Sequence, residues 1–292
     1  MKTAKSGEEL LIICNEEKIS LSEYAILKEI ERSNLNRTEV IERMRRNLNV
    51  MRSSANEGME REIYSVSGLI GGDGYKLKKY LKSEKSLTGN TIILAMAMAI
   101  SSSEVNAAMG KIVACPTAGS CGILPAVILS VGEKLSLDDD TLIKGLFAAS
   151  AVGMIIGMNA TLSGAEGGCQ AECGSAAAMA SAAVVEIMGG NPRMSLDAAA
   201  IVIKNILGLV CDPVAGLVEI PCAKRNASGA ISALSTADMV MAGISSKIPF
   251  DDAVSAMYKV GKNMPKELRE TALGGVAITK TGLALKKQVF GE

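Results

Sequence analysis

Histidine is absent: none occurs among 292 residues, although cysteine occurs seven times. Imidazole titrates near about pH 6.5 and is the usual general base at neutral pH, as well as the commonest nitrogen ligand of metals. Proton chemistry on this chain therefore falls to Lys, Glu, Tyr or Cys, or to a base lent by another chain. Aromatic residues make up only 3% of the sequence, too few for the stacking platforms of single-strand nucleic-acid binders. Excess charge of either sign is missing too, because Lys plus Arg and Asp plus Glu both number 31. No basic field draws nucleic acid or an anionic membrane to the chain, so no nucleic-acid partner is expected.

A secretory leader is not visible, since the opening MKTAKSGEELLIICNEEK holds only a short apolar run between charges. The expectation is a cytoplasmic protein, where disulfides are uncommon. The seven thiols then read either as buried small residues or as metal ligands. Two stretches, 112–132 and 145–165, carry no charge over a length that would suit a membrane span. The first contains Pro116 and Pro125, and the second ends in glycine and polar residues. Both read as buried helices running into loops, and no membrane association is expected.

What is abundant is Ala, Gly, Met, Ile and Leu in helical spacing. Residues 1–64 form a polar N-terminal helical segment. Within it Ser20 and Glu23 suggest a capping box, and Thr38 stands before a second helix with Val40, Ile41, Met44, Leu48 and Met51 on one face. GLIGGDG, from Gly68 to Gly74, matches no phosphate-loop spacing and reads as a turn before a helix. Residues 65–292 read as a second, larger helical domain, in which Asp138 to Asp140 suit a helix N-terminus. Strand-type alternation is scarce. The expected fold class is all-α, a multi-helix domain with Gly/Pro/Cys-rich loops at helix ends forming the site.

Three loops share one construction, with Gly and Cys in an irregular segment at the mouth of an apolar helix, two of them also holding Pro. Glycine lets backbone approach a ligand, a helix N-terminus favours an anion, and thiolates suit a soft metal. The plainer alternative is that Gly and Cys only permit close helix packing. No C-x-x-C pair exists, which excludes zinc ribbons and ferredoxin-type runs. Spacing leaves open an all-thiolate or carboxylate zinc shell and an iron–sulfur cluster gathered from separate loops.

The loops CPTAGSCGILPAV (Cys115–Val127), MNATLSGAEGGCQAE (Met158–Glu172) and LVCDPVAGLVEIPCAKRNA (Leu209–Ala227) resemble the iron–sulfur L-serine dehydratases, in particular the α chain of the two-subunit type. The resemblance runs from SGEELL to TALGGVAIT, nearly the whole chain. It implies deamination of L-serine to pyruvate and ammonia on a 4Fe–4S cluster, without pyridoxal phosphate. It also implies Cys169, Cys211 and Cys222 as cluster ligands, Cys173 as a packing residue, and Cys115 and Cys121 in a loop like the family's substrate loop; Cys14 lies outside the motifs and reads as helix packing.

Three thiolates would leave one iron open to act as a Lewis acid. Thr117, Ala118, Gly119 and Ser120 would offer donors to the substrate carboxylate. Asn159 and Ser163 would meet its polar groups, unless they merely cap helix ends. Glu166 is the candidate catalytic carboxylate, on condition that burial raises its pKa. Lys224, Arg225 and Asn226 would either balance the cluster's charge or begin a surface helix. The resemblance further implies a β chain, expected to supply a histidine base within a hetero-oligomer. Alternatives are a related lyase acting on L-threonine or L-cysteine, and a non-catalytic iron–sulfur sensor.

Overall fold

A computed structural model describes residues 2–83 and 85–291. Among these residues there is no strand, only two isolated bridges, and thirteen α-helices follow one another. The first three are α1 (Gly7–Glu17), α2 (Leu21–Ser33) and α3 (Arg37–Glu60). Then come α4 (Asp73–Leu81), α5 (Gly89–Ala107), α6 (Ile123–Leu135) and α7 (Asp139–Asn159). The short α8 (Gly164–Gly167) and a π turn (Gln170–Gly174) lead into α9 (Ser175–Ile187). The chain ends with α10 (Pro192–Asn205), α11 (Cys222–Met241), α12 (Phe250–Asn263) and α13 (Lys280–Phe290). The all-α expectation holds.

Helix α9 is the axis of the packing. Its sequence SAAAMASAAVVEI puts alanine on every side, and Ser175 to Val185 are all buried. Small side chains let α6, α7, α10 and α11 approach it from several directions. The two charge-free stretches fall on α6 with its preceding loop and on α7. Windows at Ala118–Leu135 and Asp139–Asn159 are long and apolar enough to cross a membrane, but 72% and 67% of them are buried within the protein. The N-terminal helices lay Leu10, Leu21, Tyr24 and Leu48 into the same core that contains α9.

The caps differ in part from those read in the sequence. Ser20 Oγ does accept from Glu23 N–H at 3.1 Å, but Glu23 turns its carboxylate to Arg37 at 2.6 Å, so the box is half formed. The full box belongs to α3, where Asn36 caps Glu39 N–H and Glu39 returns to Asn36 N–H. The helix thus begins before Thr38. Asp138 caps α7 as expected, accepting from Thr141 N–H at 2.9 Å.

Other caps come from distant helices. Gly72 leads into α4 with no side chain to offer. Glu104 of α5 supplies the carboxylate instead, accepting from Asp73 N–H at 2.7 Å and Gly74 N–H at 3.4 Å. Glu186 does the same for α2 through Leu21 N–H at 2.9 Å and Ser22 N–H at 3.2 Å. Asp251 accepts from Gly7 N–H at 2.6 Å and Glu8 N–H at 3.0 Å at the start of α1.

Glu104 is fully buried, and burial pushes its carboxyl up to about 7 against the pull of the two amides. An unfolded Glu titrates near about 4.3. As pH rises from about 4.5 to about 7, the unfolded chain ionises first, so stability is lost across that window. Glu104→Gln should flatten that loss, by an amount on the order of 1–3 kcal/mol after discounting for screening. Thermal unfolding of both proteins at about pH 5 and about pH 8 checks it; parallel curves would show that Glu104 does not titrate there.

Candidate functional site

The loops at the N-terminal ends of α6, α9 and α11 meet on one side of the molecule. Thr117 precedes a 3-10 turn, Ala118–Ser120, that enters α6. Its hydroxyl donates a short hydrogen bond to Glu172 Oε1 and lies 3.1 Å from Ser120 Oγ. A Cβ at Gly119 would stand 2.6 Å from Glu172 Oε1, so any larger residue there would displace the Glu172 carboxylate. Asn226 of α11, 1% exposed, staples the turn in place. Its amide donates to Gly119 O at 2.7 Å and to Cys222 O at 2.9 Å, and its carbonyl accepts from Gly122 N–H at 2.9 Å.

Cys169, Cys211 and Cys222 are all free and buried. They come from the segment before α9, the loop after α10 and the first residue of α11. The Cys211 and Cys222 thiols are raised by burial first and then by the Cys169 sulfur, so the three lie within electrostatic reach of one another. Cys222 is pushed up to about 12. Cys169 is held down, chiefly by the Cys173 thiol donating to it at 3.3 Å and further by the Arg225 guanidinium.

Among the described residues no three Cys, Asp or Glu side chains converge closely enough to hold a single metal ion. Buried thiols from three separate elements, with a cation beside them, have the donor chemistry of a polynuclear iron–sulfur centre, in which each ligand meets its own iron.

Arg225 is the cation. It donates to Val210 O at 2.8 Å and pairs with Asp212 at 2.9 Å, where the two side chains are 17% and 3% exposed. Lys224, by contrast, points away to Asp73 at 2.6 Å. Asp212 also accepts from Val276 N–H at 2.7 Å. Cys211 N–H donates to Leu268 O at 2.8 Å, and Glu270 N–H donates to Cys211 O at 2.7 Å. These bonds pin the segment after α12 across Cys211 and bring Glu270 to it.

The result is a convergence at Gly164. A Cβ there would stand 3.1 Å from Glu270 Oε2, 3.2 Å from Cys211 Sγ and 3.3 Å from Glu172 Oε2. The point lies on the wall of a cavity of about 500 Å³ lined also by Thr117, Ser163 and Glu166. Glu172 is 8% exposed. Burial raises its carboxyl, the Thr117 hydrogen bond lowers it, and Glu270 raises it further.

Glu166 lines the cavity but is exposed, so the burial on which its catalytic role depends is lacking in this chain. Ser163 faces the cavity and makes no side-chain cap bond. Asn159 is drawn elsewhere, its amide donating to Lys5 O at 2.7 Å and Ile155 O at 2.9 Å. Cys115, Cys121 and Cys14 each direct a thiol at a backbone carbonyl. Glu172 stands at the end of the second loop motif, three residues after Cys169. Glu270 carries no signal in the sequence, because its approach depends on backbone bonding to Cys211.

The model of the serine dehydratase alpha chain family matches residues 16–277. The chain belongs to that family. It is 50% identical over 287 residues to the probable L-serine dehydratase alpha chain of Bacillus subtilis, covering 98% of this chain and 95% of that one. It is 45% identical to the L-serine dehydratase alpha chain of Peptoniphilus asaccharolyticus, covering 98% of each. L-serine dehydratase 1 of Escherichia coli is 37% identical over 94% of this chain, which spans 61% of that longer protein.

Asn226→Ala should leave the Gly122 N–H and Gly119 carbonyl without their buried partner. The expected loss is about 2–4 kcal/mol, read as a lower urea midpoint with an unchanged slope. A loss below about 0.5 kcal/mol would show that the turn holds without the staple.

Proposed function

We propose that this chain is the α subunit of an αβ L-serine dehydratase that converts L-serine to pyruvate and ammonia. The observation that carries the reading is the convergence of Cys211, Glu172 and Glu270 on Gly164, with both carboxylates on the wall of one cavity, in a chain half identical to a probable L-serine dehydratase alpha chain. Cys169, Cys211 and Cys222 hold a 4Fe–4S cluster, with no pyridoxal phosphate. When bound, the cluster supplies a Lewis acid that helps the serine hydroxyl leave.

This chain's residues bind and orient. Glu172 and Glu270 both approach Gly164, and among the described residues no Lys or Arg lines their cavity; the substrate ammonium meets that need. Thr117 fixes the Glu172 carboxylate, while Ala118, Gly119 and Ser120 lie beside it for the substrate carboxylate. Ser163 completes the cavity wall. Arg225 offsets the negative charge that three thiolates bring. Loss of the Cα proton and the β-hydroxyl amounts to loss of water and gives aminoacrylate, whose imine tautomer takes up water to yield pyruvate and ammonia.

The base that takes the Cα proton contributes about 10²–10⁴-fold in such reactions. We assign it to a β-chain histidine, because this chain has none and Glu166 is exposed. A cytoplasmic setting, where thiols stay reduced, suits the site.

Protein purified without oxygen should be brown, and Ala at Cys169, Cys211 or Cys222 should abolish the iron content while Ala at Cys14 leaves it intact. The α chain alone should turn over L-serine negligibly and gain activity with the β chain. Full iron in all three variants sinks the cluster assignment, and equal turnover by the lone chain sinks the lent base. L-Threonine and L-cysteine, tested beside serine, report whether the pocket prefers a different side chain.

Glu172→Gln should keep the cluster absorbance and raise KM for L-serine about ten- to hundredfold, the loss of one charge-assisted contact. An unchanged KM would remove Glu172 from ammonium binding.

A further inference from the structure

Cys173 has no part in the reaction above, yet it touches a residue that does. Its sulfur lies 3.3 Å from that of Cys169. A disulfide needs a separation of about 2.05 Å, so about 1.3 Å must be closed. Rotation about the two side chains and adjustment of the π turn that carries Cys173 supply that movement. Pi turns break the regular α-helical ladder and occur often at functional sites.

The second observation is a route from solvent. A cavity of about 400 Å³, distinct from the Gly164 cavity, is lined by Cys173, Asn205, Gly208, Arg225, Ser228 and Ser232. It reaches Cys173, between the end of α10 and the first half of α11. Cys173 is only 3% exposed, so a large oxidant is excluded, while a molecule as small as hydrogen peroxide fits a cavity walled by Ile206, Leu207 and Leu209 as well as by the polar residues. Cys14, Cys115 and Cys121 are buried with their thiols directed at carbonyl oxygens. Among the described residues, only Cys169 and Cys173 bring two sulfurs to hydrogen-bonding distance.

We propose that Cys169 and Cys173 form a modification site: in the chain without its cluster, a hydroperoxide entering by the Cys173 cavity oxidises them to a disulfide, which blocks rebuilding of the cluster until a dithiol reduces it. The blocking rests on the cluster reading of Cys169; the disulfide does not. One sulfur attacks a peroxide oxygen, the O–O bond breaks, and a sulfenic acid forms with release of water. The second sulfur displaces the sulfenic hydroxyl, which departs as a second water with the remaining thiol proton. Two thiols are oxidised by two electrons, and one hydrogen peroxide is reduced to two waters. A dithiol reverses the change by exchange, becoming the disulfide itself. With the cluster in place Cys169 is committed to iron and the pair is protected.

The test uses the full chain, stripped of iron under argon and treated with a small excess of hydrogen peroxide. The tryptic peptide 145–193 contains Cys169 and Cys173 and no other cysteine. Its fragment ions spanning Cys169 to Cys173 should become lighter by two hydrogens in the stripped protein and stay unchanged in the loaded protein, whatever oxygen the exposed Met154 and Met158 take up. Iron and sulfide uptake by the oxidised protein should fall at least about tenfold and return with dithiothreitol. Cys173→Ala should never lose the two hydrogens, since an oxidised Cys169 has no second sulfur to close on, and its untreated loading serves as the folding control. Fragment ions that leave Cys169 and Cys173 unchanged, or that put oxygen on either sulfur, overturn the site; oxygen on the exposed Met154 or Met158 of the same peptide is separate chemistry. A disulfide that forms without slowing uptake overturns the block. If untreated protein takes up no iron, the cluster reading fails with the block, while the peptide mass still decides the disulfide.

Discussion

The buried ion pair between Arg225 and Asp212 is the constraint on which the site depends. Charges out of water cost several kcal/mol each unless their geometry and remaining hydrogen bonds are good. Here Asp212 takes both the guanidinium and the Val276 amide, and Arg225 also reaches Val210 O. The pair therefore joins three pieces of chain: the loop after α10, the first turn of α11 and the segment before α13. Two of those pieces carry Cys211 and Cys222, and the loop after α12 brings Glu270. Removing either charge would leave the other buried and unpaired, and the thiols would lose their common frame.

The surrounding scaffold is held by the same kind of long-range polar contact. Glu104, Glu186 and Asp251 each accept amides from the start of a helix far away in sequence. A helix start has free N–H groups and a partial positive charge, so a carboxylate from a neighbouring helix satisfies both. These contacts fix how helices meet end to end, whereas the alanine surface of α9 fixes how closely they meet side by side. Loops that must present thiols and carboxylates accurately are thus mounted on helix ends that cannot drift.

Charge is divided unevenly across the site. The thiol side has Arg225, and the cavity side has Glu172 and Glu270 with no cation among the residues that line it. Such a cavity favours a ligand that brings its own positive charge. Its neutral polar wall comes from Thr117, Thr161 and Ser163. The chain has no imidazole to complete this arrangement, which is the physical reason for assigning proton removal to a partner.

Much of this is legible in the sequence. Alanine-rich periodicity declares an all-α fold, Asp138 declares a cap, and the loops around Cys169, Cys211 and Cys222 carry the family resemblance, because each depends on residues adjacent in sequence. Contacts between distant residues are not legible there. The cap of α3 falls on Asn36 rather than near Thr38, and Asn159 is taken by Lys5 O instead of the cavity. Glu166 stands in the right loop and on the exposed side of it, while Glu172 turns inward to Thr117. Glu270 lies 59 residues beyond Cys211 in number and reaches the cavity only because its backbone bonds to that residue. The sequence by itself determined the element types and the chemistry available; tertiary structure decided which carboxylates and thiols converge, since burial and distance are properties of packed surfaces, not of spacing along the chain.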